Sequence, residues 1–73
     1  MNAREWIDAF CAELGAEPPT ADEFKAILDL AAVAAHSSER VAAPVACWAA
    51  GRAAVSLEEA QAVAERVGGD PAQ

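Results

Sequence analysis

Basic residues are scarce in this sequence: five lysines and arginines stand against twelve aspartates and glutamates, for a net charge of −7. Affinity for a phosphate backbone comes from cations that displace its counterions, so this balance argues against nucleic acid as a partner. Histidine occurs once, as His36, and the two cysteines, Cys11 and Cys47, form neither a CxxC pair nor a zinc spacing. No stretch of 18 apolar residues runs free of charge, so no membrane span is expected. The opening Met1-Asn2-Ala3-Arg4-Glu5-Trp6 runs into mixed charge without the apolar core of a secretion signal. A cytoplasmic protein with two reduced thiols is the expectation, with a single disulfide as the alternative. A Gly-rich phosphate loop, a Walker pattern and a dinucleotide fingerprint are all missing. So are the Asn-Gly and Asp-Gly turns that would join short alternating strands.

What the sequence has in quantity is alanine. Of 73 residues, 55% are hydrophobic, and 21 of those are alanine, which leaves 19 larger apolar side chains, Met1 and both cysteines included. One domain, residues 1–73, is all that this length supports. A chain of about 60 residues buries only roughly 60% of the surface its unfolded form exposes. Ordering each residue costs about 1.5 kcal/mol, so the monomer has little stability in reserve. Alanine offsets part of that deficit locally, having the best helix propensity and no rotamer entropy to lose.

The punctuation is helical throughout. Asn2 with Glu5 has the capping-box spacing, Trp6, Ile7, Phe10 and Leu14 follow at helical intervals, and Gly15 with Pro18-Pro19 ends a first helix over about 3–14. Thr20 with Glu23 repeats the box, and Asp22 and Glu23 favour the positive end of the helix dipole. Phe24, Ile27, Leu28, Ala31 and Ala35 then share one face of a second helix. That helix runs from about residue 21 to His36 and either persists through Arg40 or breaks at Ser37-Ser38. Pro44 fits the first position of a third helix, which carries Val45, Trp48, Ala49 and Arg52 on one side. Gly51 weakens that helix by about 1 kcal/mol relative to alanine, in exchange for close approach of another backbone. Ser56 with Glu59 makes a third capping box, followed by a stripe of Leu57, Ala60, Val63, Ala64 and Val67. Gly68-Gly69 and Asp70-Pro71 close it, with a frayed tail over about 69–73. The expected fold is all-α: a compact four-helix bundle with short connections and one helix broken or started at Pro44.

Candidate functional residues cluster around the turn after the second helix. His36 and Glu39 would share a helical face, as metal ligands do, but a site needs two or three more ligands, and only Asp29 lies nearby in register. His36 beside Ser37 is not a catalytic pair, because helical neighbours point about 100° apart and no third group or oxyanion hole is evident. Arg40 and Arg52 flank the turn and could converge on an acidic partner or an anion, or form solvated ion pairs worth about 0–1 kcal/mol. Trp6 and Trp48 belong in the core by default, and any that stays exposed is an anchor for a partner. Cys11 and Cys47 are small fillers; Cys47, close behind Pro44, is the one whose reactivity merits measurement.

The run from Val33 to Pro44, VAAHSSERVAAP, continuing to Trp48-Ala49-Ala50-Gly51, resembles a small actinobacterial helical domain of uncharacterised function. The shared pattern is Ala-His, a spacer, Glu-Arg, two residues, Ala-Pro and an apolar helix ending in glycine. His36, Glu39, Arg40 and Pro44 carry it, and the Trp6-Ile7 opening and the acidic start of the second helix extend it over nearly the whole chain. Such domains occur alone or fused behind proteins resembling molybdenum cofactor guanylyltransferase, so the resemblance implies an accessory place in that chemistry.

Together these readings give a non-catalytic accessory or protein-interaction module, with no cofactor of its own and a protein partner or a homodimer in prospect. Its partner-binding residues would be His36, Glu39, Arg40, Pro44, Trp48 and Arg52. The alternative is a small-ligand or metal-binding domain built on the His36, Glu39 and Arg40 turn.

Overall fold

The computed structural model describes residues 1–68, and the tail expected over 69–73 lies outside them. Four helices follow in order: α1 (Ala3–Leu14), α2 (Ala21–Ser37), α3 (Ala42–Ala53) and α4 (Leu57–Val67). The all-α four-helix architecture with short connections is the one expected.

Local chemistry sets the boundaries. In α1 and α2 the capping boxes are complete: Asn2 Oδ1 accepts from Glu5 N at 2.8 Å, and Thr20 Oγ1 from Glu23 N at 3.1 Å. Each glutamate carboxylate returns the bond to the cap's own N–H. At α4 half the box forms, with Ser56 Oγ accepting from Glu59 N at 3.0 Å. Gly15 closes α1 at φ 75°, where a side chain would be strained.

Of the two readings for the end of α2, the break is the one observed. Helix α2 stops at Ser37, whose hydroxyl turns back to the Val33 carbonyl, and Ser38 leaves helical geometry. Two tight turns, Ala42 N to Glu39 O at 2.9 Å and Ala43 N to Arg40 O at 3.1 Å, then lead into α3. That helix opens at Ala42, two residues ahead of the expected start. Pro44 still lies in its first turn, where the N–H it lacks would have had no helical acceptor.

Packing departs from the expected faces. Helix α2 is central and packs on both α3 and α4, and no other pair among the described residues makes comparable contact. Among the described residues the buried side chains are Leu30, Ala34 and Ala60. On α2 the buried line is therefore Leu30 and Ala34, flanked by half-buried Ile27, while Leu28 is exposed. That is roughly a quarter turn from the expected Phe24–Leu28–Ala35 face. On α3 most of the expected side is the outer one: Val45, Trp48 and Arg52 face solvent, Ala49 is exposed at the edge toward α4, and Ala42, Ala43, Ala46, Cys47 and Ala50 turn inward. Small side chains let α3 lie close along α2, and the bulky ones are left outside.

The first helix stands apart from this trio. Arg4 fastens it to the start of α2, donating to the Pro19 carbonyl and placing its guanidinium 5.5 Å from the centre of the Phe24 ring. Arg4, Ile7 and Cys11 are half-buried along that side of α1. The radius of gyration, 13.2 Å, exceeds the roughly 11 Å of a closely packed chain of this length.

Candidate functional site

Because α3 and α4 both pack on α2 but scarcely on each other, a groove opens between them. Leu30, Ala34 and Ala60 form its floor. Ala46, Ala49, Ala50 and Ala53 line the α3 wall, and Val63, Ala64 and Val67 line the α4 wall. One-carbon side chains cannot span the gap, and a cavity of about 530 Å³ remains. A smaller space of about 290 Å³ lies against Ile27, Leu30, Cys47, Ala50, Gly51, Val55 and Leu57. Cys47 abuts it, with Sγ 4.0 Å from the Ile27 carbonyl oxygen, and burial pushes its thiol pKa up. That environment disfavours the thiolate, so Cys47 is a packing residue. Gly51, expected to admit a neighbouring backbone, has open space where its Cβ would be.

A second apolar surface lies on α1. Trp6, Phe10 and Leu14 recur every four residues on the side away from α2 and are 52%, 47% and 65% exposed. Trp6 and Phe10 stack at 5.0 Å between ring centroids with their planes 20° apart. Offset stacking of this kind holds both rings ready as one flat surface. From the sequence these three belong to the apolar stripe of the first helix, with Trp6 expected in the core by default. They lie outside because α1 meets α2 through its Arg4–Ile7–Cys11 side.

The six residues singled out from sequence all lie on the exterior. His36 is exposed in the last turn of α2, and Glu39 is beyond that helix, so the two share no helical face. Arg40 and Pro44 are exposed in the turn and in the first turn of α3. Trp48 is 64% exposed, with the Arg52 guanidinium 5.6 Å from its ring centre in a cation–π contact. With Val41 and Val45 they continue an apolar strip along α3. None of the six lines the groove. Among the described residues there is no cluster of three or more His, Cys, Asp or Glu placed to hold a metal. No helix among them is long and apolar enough to cross a membrane.

Charge is unevenly distributed. Arg4 pairs with Asp8 at 3.4 Å and Lys25 with Asp29 at 3.2 Å, both one helical turn apart. Among the described residues Arg40, Arg52 and Arg66 have no ion pair; Arg40 lies in the turn before α3, and Arg52 and Arg66 lie in the last turns of α3 and α4.

Sequence reasoning missed the groove. Its signal was present as alanines at 42, 46, 49 and 53, spaced for one face of α3, and Ala60 and Ala64 on α4. Against a background of 21 alanines that spacing reads as composition.

Comparison with known proteins adds a family to this geometry. The model of a domain of unknown function, DUF6457, matches residues 1–70. The chain belongs to the DUF6457 family. No curated protein and no solved structure matches it. The family match spans both apolar surfaces, the α1 stripe and the α3–α4 groove, so the whole four-helix unit is the family's domain.

Proposed function

We propose that this DUF6457 domain is a non-catalytic protein-interaction module that acts as an accessory by docking apolar helical surface on a protein partner. The observation that carries the reading is the outward stripe of Trp6, Phe10 and Leu14, three large side chains at one-turn spacing in a chain with so few buried residues. Tryptophan and other aromatics dominate interface energetics when seated in a pocket, and contiguous exposed apolar patches mark interaction sites on small proteins. The exposed Trp48–Arg52 pair, with Val41 and Val45, supplies a second anchor of the same kind. Tryptophan and arginine are the residues most enriched at binding hot spots.

A place in molybdenum cofactor biosynthesis or molybdoenzyme maturation is the finer form of this proposal. It rests on the resemblance of the His36–Pro44 motif to actinobacterial domains fused behind guanylyltransferase-like proteins, and a cytoplasmic setting goes with it.

The test is photo-crosslinking from position 48 or 10 in cells, followed by reconstitution of the identified pair from purified proteins. Expected is a defined partner whose affinity falls at least about tenfold in Trp48→Ala or Phe10→Ala, with helical content unchanged. A nucleotidyltransferase or molybdoenzyme as that partner would support the finer form. Binding that survives both substitutions, or no pair that reconstitutes, refutes the module.

A further inference from the structure

We infer that the outward face of α1 seats a cationic amphipathic helix of another protein, apolar where it meets Trp6, Phe10 and Leu14 and flanked there by lysine or arginine. This rests on the interaction-module reading and adds the shape and charge of the partner.

Shape comes from the stripe. Trp6, Phe10 and Leu14 stand four residues apart, the row of side chains that settles into the groove of a crossing helix. The row covers about 12 Å. It is formed before a partner arrives. The capping box at Asn2 and the left-handed stop at Gly15 fix both ends of α1, and Trp6 and Phe10 already stack at 5.0 Å. A preformed helix with two stacked rings loses little freedom on docking.

Charge selects the partner. Residues 1–23 hold six acids (Glu5, Asp8, Glu13, Glu17, Asp22 and Glu23) against Arg4 alone, and so carry five of the chain's seven net negative charges. Arg4 is engaged toward α2: it pairs with Asp8, donates to the Pro19 carbonyl and lies over the Phe24 ring. No other base stands on α1. Glu13 is exposed, three residues after Phe10 and seven after Trp6, so it borders the stripe on the same side of the helix. Glu17 follows beyond the end of the helix.

The same charges argue against three other occupants. Nucleic acid and an anionic lipid surface present negative groups to these carboxylates. In a second copy α1 presents the same acids, and residues 37–68, around the α3–α4 groove, hold four acids against three bases. A lysine or arginine beside an apolar helix face supplies the opposite charge where Glu13 stands. Long-range attraction to a chain of net charge −7 speeds that encounter.

Calorimetric titration with two synthetic helices of about five turns tests the arrangement, one with a leucine face flanked by lysine, the other with glutamate at the lysine positions. Phe10 and Glu13 are exposed, so their variants keep the fold, which circular dichroism checks. Expected is binding of the lysine helix, weaker as salt rises, and at least about tenfold weaker binding of the glutamate helix. Phe10→Ala should weaken binding of the lysine helix at least about tenfold, and Glu13→Lys at least about threefold. Glu65→Lys, the same change at an exposed position of α4, should leave affinity within about twofold. No binding of the lysine helix, equal binding of both helices, or wild-type affinity in Phe10→Ala overturns the inference. So does a loss in Glu65→Lys that matches Glu13→Lys, since net charge rather than the stripe then governs. Vesicles of phosphatidylserine and phosphatidylcholine bound through Phe10, or a wild-type dimer abolished by Phe10→Ala, assign the stripe to lipid or to a second copy and overturn it as well. In each case the interaction-module reading stands or falls separately, on whether crosslinking in cells yields a pair that reconstitutes.

Discussion

A Cβ placed on Gly68 would sit 3.0 Å from both the Cβ and the Oγ of Ser37, so the ends of α4 and α2 meet at this glycine. The Ala64 carbonyl is equally close, and Ser37 is held by its own bond to Val33, so neither neighbour is a free side-chain end. Gly68→Ala should therefore destabilise the fold by about 1–3 kcal/mol, the usual cost of overpacking. Ser37→Gly in the same chain removes two of the three close atoms and should recover part of the loss. Urea unfolding of the single and double variants reads the difference.

Gly51 presents the opposite case. It lies inside α3 with nothing within 4 Å of a built Cβ. Gly51→Ala removes the cost of glycine in a helix interior without a clash and should stabilise by about 1 kcal/mol. For a domain this small that raises Tm by roughly 4–8 °C. A loss of stability instead would mean that the position is already in contact with a neighbour in solution.

The end of α3 carries a conformational cost that one substitution should relieve. Ala54 closes the helix at φ 60°, ψ 33°, donating to the Ala50 and Gly51 carbonyls. An L-residue in this region costs about 1–2 kcal/mol. Glycine avoids that cost but loses about 0.5–1 kcal/mol more in unfolded-chain entropy. The balance favours Ala54→Gly by roughly 0.5–1 kcal/mol, whereas valine there should be worse than alanine. Thermal unfolding of both variants ranks them.

These contrasts show where the sequence was legible. Helix starts were readable because a cap is a contact within three residues: Asn2 with Glu5 and Thr20 with Glu23 form as their spacing requires. Gly15 was readable because the left-handed stop favours glycine, whereas Ala54 in the same role gives no such signal. Helix faces were misread where size and burial part company. Ranking by hydrophobicity put Val45 and Trp48 inside, yet α3 approaches α2 through Ala43, Ala46 and Cys47, because close contact between helices favours small side chains. The groove was invisible for a related reason, since it is made of the volume that alanines leave unfilled. His36, Glu39 and Arg40 could be picked out as polar residues in a motif, but their mutual geometry depended on whether α2 continued past Ser37, which local signals left open.

The half-buried Cys47 thiol gives a pH-dependent prediction. Burial raises the pKa of Cys47 above the ordinary 9.0, with Sγ packed against the Ile27 carbonyl. The unfolded chain thus releases this proton at lower pH than the folded one. Stability from the neutral thiol is complete below pH 9.0 and declines as pH rises through the folded-state value. Unfolding by urea should show that decline on the alkaline side, and Cys47→Ala should remove it while leaving the remaining pH dependence. At neutral pH an aromatic disulfide reagent should label Cys47 more slowly in the native protein than in urea, since only the thiolate reacts. Equal rates in the two states would place Cys47 in solvent and contradict its packing against α2.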